Sequence, residues 1–157
     1  MIQALCSLIV AVAFAGTPKS SPVTAINAVI DDWHAAAAKA DEVRYFSHFA
    51  PDAVFIGTDA SERWPVKEFR KYTHARFKAG TAWTIVPKER HVSVSADGKF
   101  AWFDEAVVSL KWGPSRGSGV LMLIGKEWKI AQYNYSVPIP NDLLAPVTAM
   151  IKGSAVH

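Results

Sequence analysis

Asp104 is the residue of this chain whose type and setting most suggest chemistry. It stands in the run Phe100 to Val108, where extended side chains alternate between two faces. Phe100, Trp102, Asp104, Ala106 and Val108 share the even face, and a carboxylate on so apolar a face is expensive to bury unless paired. In a dry aromatic setting its pKa would rise, which suits a general base or a neutral hydrogen-bond donor. The plainer alternative is an ion pair with Arg116 on the following strand, holding Asp104 charged and passive. Glu105 turns the other way by parity, and a β-bulge would exchange the two.

His34 is the second candidate. It lies four residues after Ile30 at the edge of an apolar helical stripe, so it can face an interior and shuttle protons. Its alternative is a hydrogen-bonded wall histidine. His48 and His74 fall on helix surfaces, His91 starts a strand and His157 is the terminus. None has a metal-binding spacing, so no metal site is expected. Gly117-Ser118-Gly119 is too tight for a nucleophile elbow and lies in a strand. Gly113, Gly117 and Gly119 open no helix and make no phosphate loop, and no cofactor is expected. The sequon Asn134-Tyr135-Ser136 also falls in a strand and reads as chance.

The elements that must position these residues follow from pattern. Ser21-Pro22 is an N-cap with proline at the first helical position, and Ile26, Val29, Ile30, Trp33 and Ala37 form a stripe to about Lys39. Asp41 caps a short second helix through Phe49. Ala50-Pro51-Asp52 reads as a turn before a short strand, Ala53 to Gly57. Pro65 opens a third helix that stops at Gly80. After Gly80 the period becomes two, with strands at 81–86, 91–95, 99–110, 115–124 and 127–137. Asp97-Gly98 is a strong hairpin turn, and a last helix fits 141–152. Helices first and an antiparallel meander afterwards is an α+β order.

The chain has 157 residues, half of them hydrophobic, which suits one domain and excludes disorder. Its 17 basic and 14 acidic residues are interspersed, so no nucleic-acid partner is expected. Residues 1–15 carry no charge and end in Ala13-Phe14-Ala15, the pattern of a cleaved signal peptide, although no positive charge precedes the apolar run. That stretch is too short to span a membrane, which takes about 20 apolar residues. Residues 16–21 read as a linker, 22–152 as the domain and 153–157 as a tail. Cys6, the only cysteine, lies in the leader, so the mature chain has no thiol. A periplasmic or secreted bacterial protein, free of the membrane once the leader is removed, is the expectation.

Several blocks carry a resemblance. They are Trp33-His34, the stretch Phe49-Ala50-Pro51-Asp52-Ala53-Val54-Phe55 through Asp59, Trp64, Ala101 to Glu105, Arg116 to Val120 and Trp128 to Ser136. Over about residues 24–140 the chain resembles the SnoaL-like group of the nuclear transport factor 2-like superfamily. The resemblance implies a cone-shaped α+β fold, with N-terminal helices packed in a curved antiparallel sheet around a pocket. It also implies that the even strand face is concave. Asp104 with His34 would then resemble the dyads of dehydratases in the superfamily. Trp64, Tyr45, Phe55, Tyr72, Trp102 and Tyr133 would line an aromatic cavity, with a plain core as the alternative. Arg116, Ser118, Gln132 and Asn134 would ring its mouth. Gln132 and Asn134 stand where many relatives carry histidine, and amides bind but do not titrate.

Three functions compete. The first is binding of a small apolar or carbonyl-bearing molecule. The second is cofactor-independent isomerase or dehydratase chemistry, with Asp104 as base and His34 as proton carrier. The third is a dimeric interaction module. Dimerisation through the convex face is common in this fold, and parity assigns Ala101, Phe103, Val107, Leu121 and Leu123 to it, with Tyr133 and Tyr135. Left bare, that face would be a large apolar patch, so a homodimer is expected.

Overall fold

The Ser21 hydroxyl accepts the Thr24 amide at 3.1 Å and Pro22 follows it, which starts α1 (Pro22–Ala38) where capping chemistry requires. The computed structural model describes residues 21–154, so the leader with Cys6, residues 16–20 of the linker and His157 lie outside the described residues. α1 buries Ile26, Ile30, Trp33 and Ala37. Asp41 then accepts the Arg44 amide at 3.1 Å and caps α2 (Glu42–Ser47). β1 (Phe49–Ile56) runs straight through the expected Ala50-Pro51-Asp52 turn, and its register against the sheet shifts between Phe49 and Val54. A short β2 (Arg63–Pro65), not anticipated from the sequence, leads into α3 (Val66–Lys78). β3 (Ile85–Val94) is one strand where two were expected, because a register shift between Pro87 and Glu89 carries the pairing past the proline. β4 (Phe100–Ser109), β5 (Gly113–Ile124) and β6 (Glu127–Ser136) complete the meander. A 3₁₀ turn, Asn141–Leu143, precedes α4 (Leu144–Ser154).

The six strands form one sheet in the order β2-β1-β6-β5-β4-β3, antiparallel at every pairing except the parallel β1–β6 contact. Helices pack on one face, with Ile30 and Trp33 of α1 meeting Phe103, Leu121, Ile130 and Tyr133 in one core. The fold is α+β, as the element order implied.

Which strand face meets that core is the reverse of the parity expectation. Odd residues of β4 and β5 face the helices, and Ala101, Phe103, Glu105, Val107 and Leu121 are buried. Even residues face outward, with Phe100 46 % and Trp102 52 % exposed. No bulge in β4 causes this, since β4 and β5 pair in unbroken register from Phe100 to Ser109. In β6 a register shift skips Ala131, so Trp128 and Ile130 point inward and then Tyr133 and Tyr135 do. Ala101, Phe103, Val107, Leu121, Tyr133 and Tyr135 are therefore core, not a convex surface.

Candidate functional site

Two places bear on a functional site. The first surrounds Glu105, which β4 drives into the core at 1 % exposure. His34 of α1 places Nε2 2.7 Å from Glu105 Oε1, and the Tyr133 hydroxyl of β6 donates to the same oxygen at 3.0 Å. Arg90 of β3 donates from Nε to Oε2 at 2.9 Å. Its Nη2 lies 2.9 Å from that oxygen as well, but at an angle that makes no second hydrogen bond. Arg90 Nη1 reaches out to Asn27 Oδ1 at 3.1 Å and to Asp31 at 2.9 Å. Gly117 is part of this arrangement, because a methyl group there would strike the Tyr133 hydroxyl and the Glu105 carboxylate. Gly119 gives way in the same manner to the Gln132 backbone carbonyl and the Phe103 ring.

Burial alone would push the Glu105 carboxyl up, but His34 and Arg90 outweigh it and hold it below its ordinary range. Burial, reinforced by the Glu105 charge, pushes the Tyr133 phenol well up, so it remains a donor. Glu105 is thus an ionised carboxylate with both oxygens engaged. Such a group is poorly disposed to take a proton from a substrate.

Asp104, the expected base, is exposed on the outer face opposite His91 and Ser118, and His34 meets its neighbour Glu105 instead. Among the described residues no ion pair joins Asp104 to Arg116, whose cross-strand partner is Ala106. Trp102, Arg116, Ser118, Gln132 and Asn134 share the outer face, so they cannot ring an interior pocket. Tyr45 is core, 0 % exposed and stacked on Trp33 at 5.1 Å. Its hydroxyl and Trp33 Nε1 are buried without hydrogen-bonding geometry to any partner.

The second place is a cavity of about 580 Å³. It is bounded by α3, the 57–64 loop, the 81–85 segment and the turn after β4. Trp64 and Tyr72 both line it, stacked at 4.7 Å and 16°. Deeper in, Phe55 and Phe69 stack at 4.1 Å. Two cations reach it. The Arg76 guanidinium lies 5.2 Å from the Tyr72 ring centre, and Lys111 Nζ lies 4.5 Å from that of Trp112. Arg76, Trp83, Lys111 and Trp112 escaped the sequence reading. An exposed tryptophan in the hairpin turn Leu110-Lys111-Trp112-Gly113 was the signal available. Neither His34 nor Glu105 lines the cavity.

Among the described residues no group of His, Cys, Asp and Glu could hold a metal ion, and no helix is long and apolar enough to cross a membrane.

The profile of the SnoaL-like domain family matches residues 26–140. No curated protein matches the chain in sequence. Among solved structures, a nuclear transport factor 2-like protein of unknown function from Pseudomonas putida KT2440 is similar at a TM-score of 0.62 and 14 % identity, over 78 % of this chain and 92 % of its own. A candidate scytalone dehydratase from Novosphingobium aromaticivorans reaches 0.64 at 9 % identity, over 74 % and 84 %. A candidate aromatic ring hydroxylase from Novosphingobium aromaticivorans reaches 0.62 at 18 %, over 74 % and 89 %. At these identities the likeness is one of fold.

Proposed function

The chain belongs to the SnoaL-like domain family, and from that premise we propose that it binds a small, largely apolar molecule in the cavity lined by Trp64 and Tyr72. One observation carries the reading: the open aromatic space and the buried carboxylate are separate places. The cavity volume falls in the range of small-molecule sites, roughly 300–1,000 Å³. The test is a thermal-shift screen of aromatic and carbonyl-bearing compounds against the wild type and Ala82→Trp, which fills the space. Ligands should stabilise the wild type alone. Equal shifts in both proteins would remove the cavity from the account.

A second reading, isomerase or dehydratase chemistry without a cofactor, is favoured by the 2.7 Å His34–Glu105 contact. The dyad passes from Asp104 to Glu105, and the cavity would have to open onto it. A bound compound recovered unchanged after long incubation ends that reading.

The reading also includes export, tested by mass spectrometry of the secreted chain for loss of residues 1–15. It includes a homodimer through the outer sheet face, where Phe100 and Trp102 are exposed beside Asp104 and Arg116, charges that a two-fold contact can pair. Trp102→Glu should yield monomers by sedimentation, and a monomeric wild type would end the dimer.

A further inference from the structure

Several hydrogen-bonding groups of the cavity lining are engaged already. Thr73 donates its hydroxyl to the Phe69 carbonyl at 2.9 Å. The Tyr135 hydroxyl donates to Ser115 at 2.8 Å. Ser109 Oγ accepts the Lys111 and Trp112 amides at 3.1 and 3.2 Å. The cations differ. Among the described residues Arg76 and Lys111 form no ion pair, since the arginine and lysine pairs involve Arg44, Arg70, Arg90 and Lys129. Each lies over an aromatic ring instead, which orients the charge while leaving its donors largely free. Arg76 makes one long contact, 3.4 Å, to the Tyr72 hydroxyl. The one carboxylate among the described residues of the lining, Glu62, accepts the Asp59 amide at 3.2 Å and packs against Gly57. The lining thus carries two cations against one anion, beside flat parallel ring pairs.

We propose that the cavity takes a planar aromatic acid, its ring against the Trp64 and Tyr72 walls and its carboxylate held by Arg76 and Lys111. The inference rests on the binding reading above and narrows it to an anionic class. A guanidinium matches a carboxylate in two parallel hydrogen bonds, and an ammonium adds a point charge. Because both cations are exposed, the preference is moderate and weakens with salt.

The test compares 2-naphthoate with 2-naphthamide, a neutral probe of nearly the same shape, by calorimetry at low salt. The acid should bind about tenfold tighter than the amide. Arg76→Gln and Lys111→Gln should each reduce that preference, and together bring it near parity. Arg76→Lys should keep part of it. Equal binding of the two probes to the wild type would overturn the anionic class and leave the binding reading standing. A preference that survives in the double variant would overturn the assignment to these cations. No binding of either probe would overturn both the class and the reading beneath it.

Discussion

Glu105 and Arg76 are both charged groups set among aromatic rings, yet they lie in opposite circumstances. Glu105 is wrapped on both oxygens by His34, Tyr133 and Arg90 and has no route to a ligand. Arg76 lies at an open cavity with a ring beneath it and, among the described residues, no ion pair. The first arrangement fixes one packing of α1, β3, β4 and β6 around a buried charge. The second leaves electrostatic capacity unfilled, which is what recognition needs. The residues that look most like catalysts are thus engaged in holding the sheet to α1, while the cations of the cavity sit on α3 and a turn.

The comparison breaks first on stability. Glu105→Gln leaves the Arg90 charge, whose side chain is only 7 % exposed, without its buried carboxylate and with the exposed Asp31 as its remaining ion pair among the described residues. The expected cost is about 3–5 kcal/mol by chemical denaturation. Arg76→Gln, at an exposed site, should change stability by no more than about 0.5 kcal/mol. If the two variants cost the same, the buried cluster is not the structural half of the molecule.

Acid titration sharpens the same point. Glu105 is ionised more readily folded than unfolded, where its value is near 4.5, so its contribution is complete above that value and lost as pH falls through the lower folded one. Asp32, drawn down to about 2 by Arg44 against a smaller effect of burial and with help from His48, follows the same sign. Its contribution is small because the side chain is 40 % exposed. Unfolding free energy should therefore fall as pH drops below about 4.5, and the fall should be shallower in Glu105→Gln. An unchanged slope would mean that Glu105 is not the group titrating. Gly117→Ala probes the cluster without removing a charge. Its methyl group must displace the Tyr133 hydroxyl or Glu105, at about 1–3 kcal/mol.

Helix starts were legible because their chemistry is local: Ser21-Pro22 and Asp41 cap where they stand. The face of the sheet was not. Along β4 one face offers Phe100, Trp102 and Asp104 and the other Ala101, Phe103 and Glu105, so each has aromatic bulk and one carboxylate. Period two reveals that two faces exist and not which is inside. The discriminating signal was in β5, where Gly117 and Gly119 supply no side chain on the odd side because Glu105, Tyr133 and Phe103 need the room. In β6 the skip at Ala131 turns Gln132 and Asn134 outward although Ile130 is buried, and nothing in the local composition marks it. Trp64 and Tyr72 were legible as cavity residues. Arg76 and Lys111 were not, since a cation at a helix end or in a turn reads as solvated surface.

The smallest expected effect concerns Tyr45, which was assigned to the cavity and lies in the core. Its hydroxyl is fully buried with only the neighbouring Trp33 indole N–H near it, at poor hydrogen-bond geometry among the described residues, and burial pushes its phenol well above the ordinary value. An unmatched buried hydroxyl opposes folding, whereas the ring contributes through Trp33, Phe46, Phe77 and Trp83. Tyr45→Phe keeps the ring and removes only the oxygen. The expected outcome is neutral to about 1 kcal/mol stabilising in denaturant unfolding, with probe affinity at the cavity unchanged. A loss of more than about 1 kcal/mol would show that the hydroxyl has a partner in solution, the Trp33 indole N–H or an ordered water. A change in probe affinity would show that the ligand reaches the core, and the separation between closed cluster and open cavity would then fall.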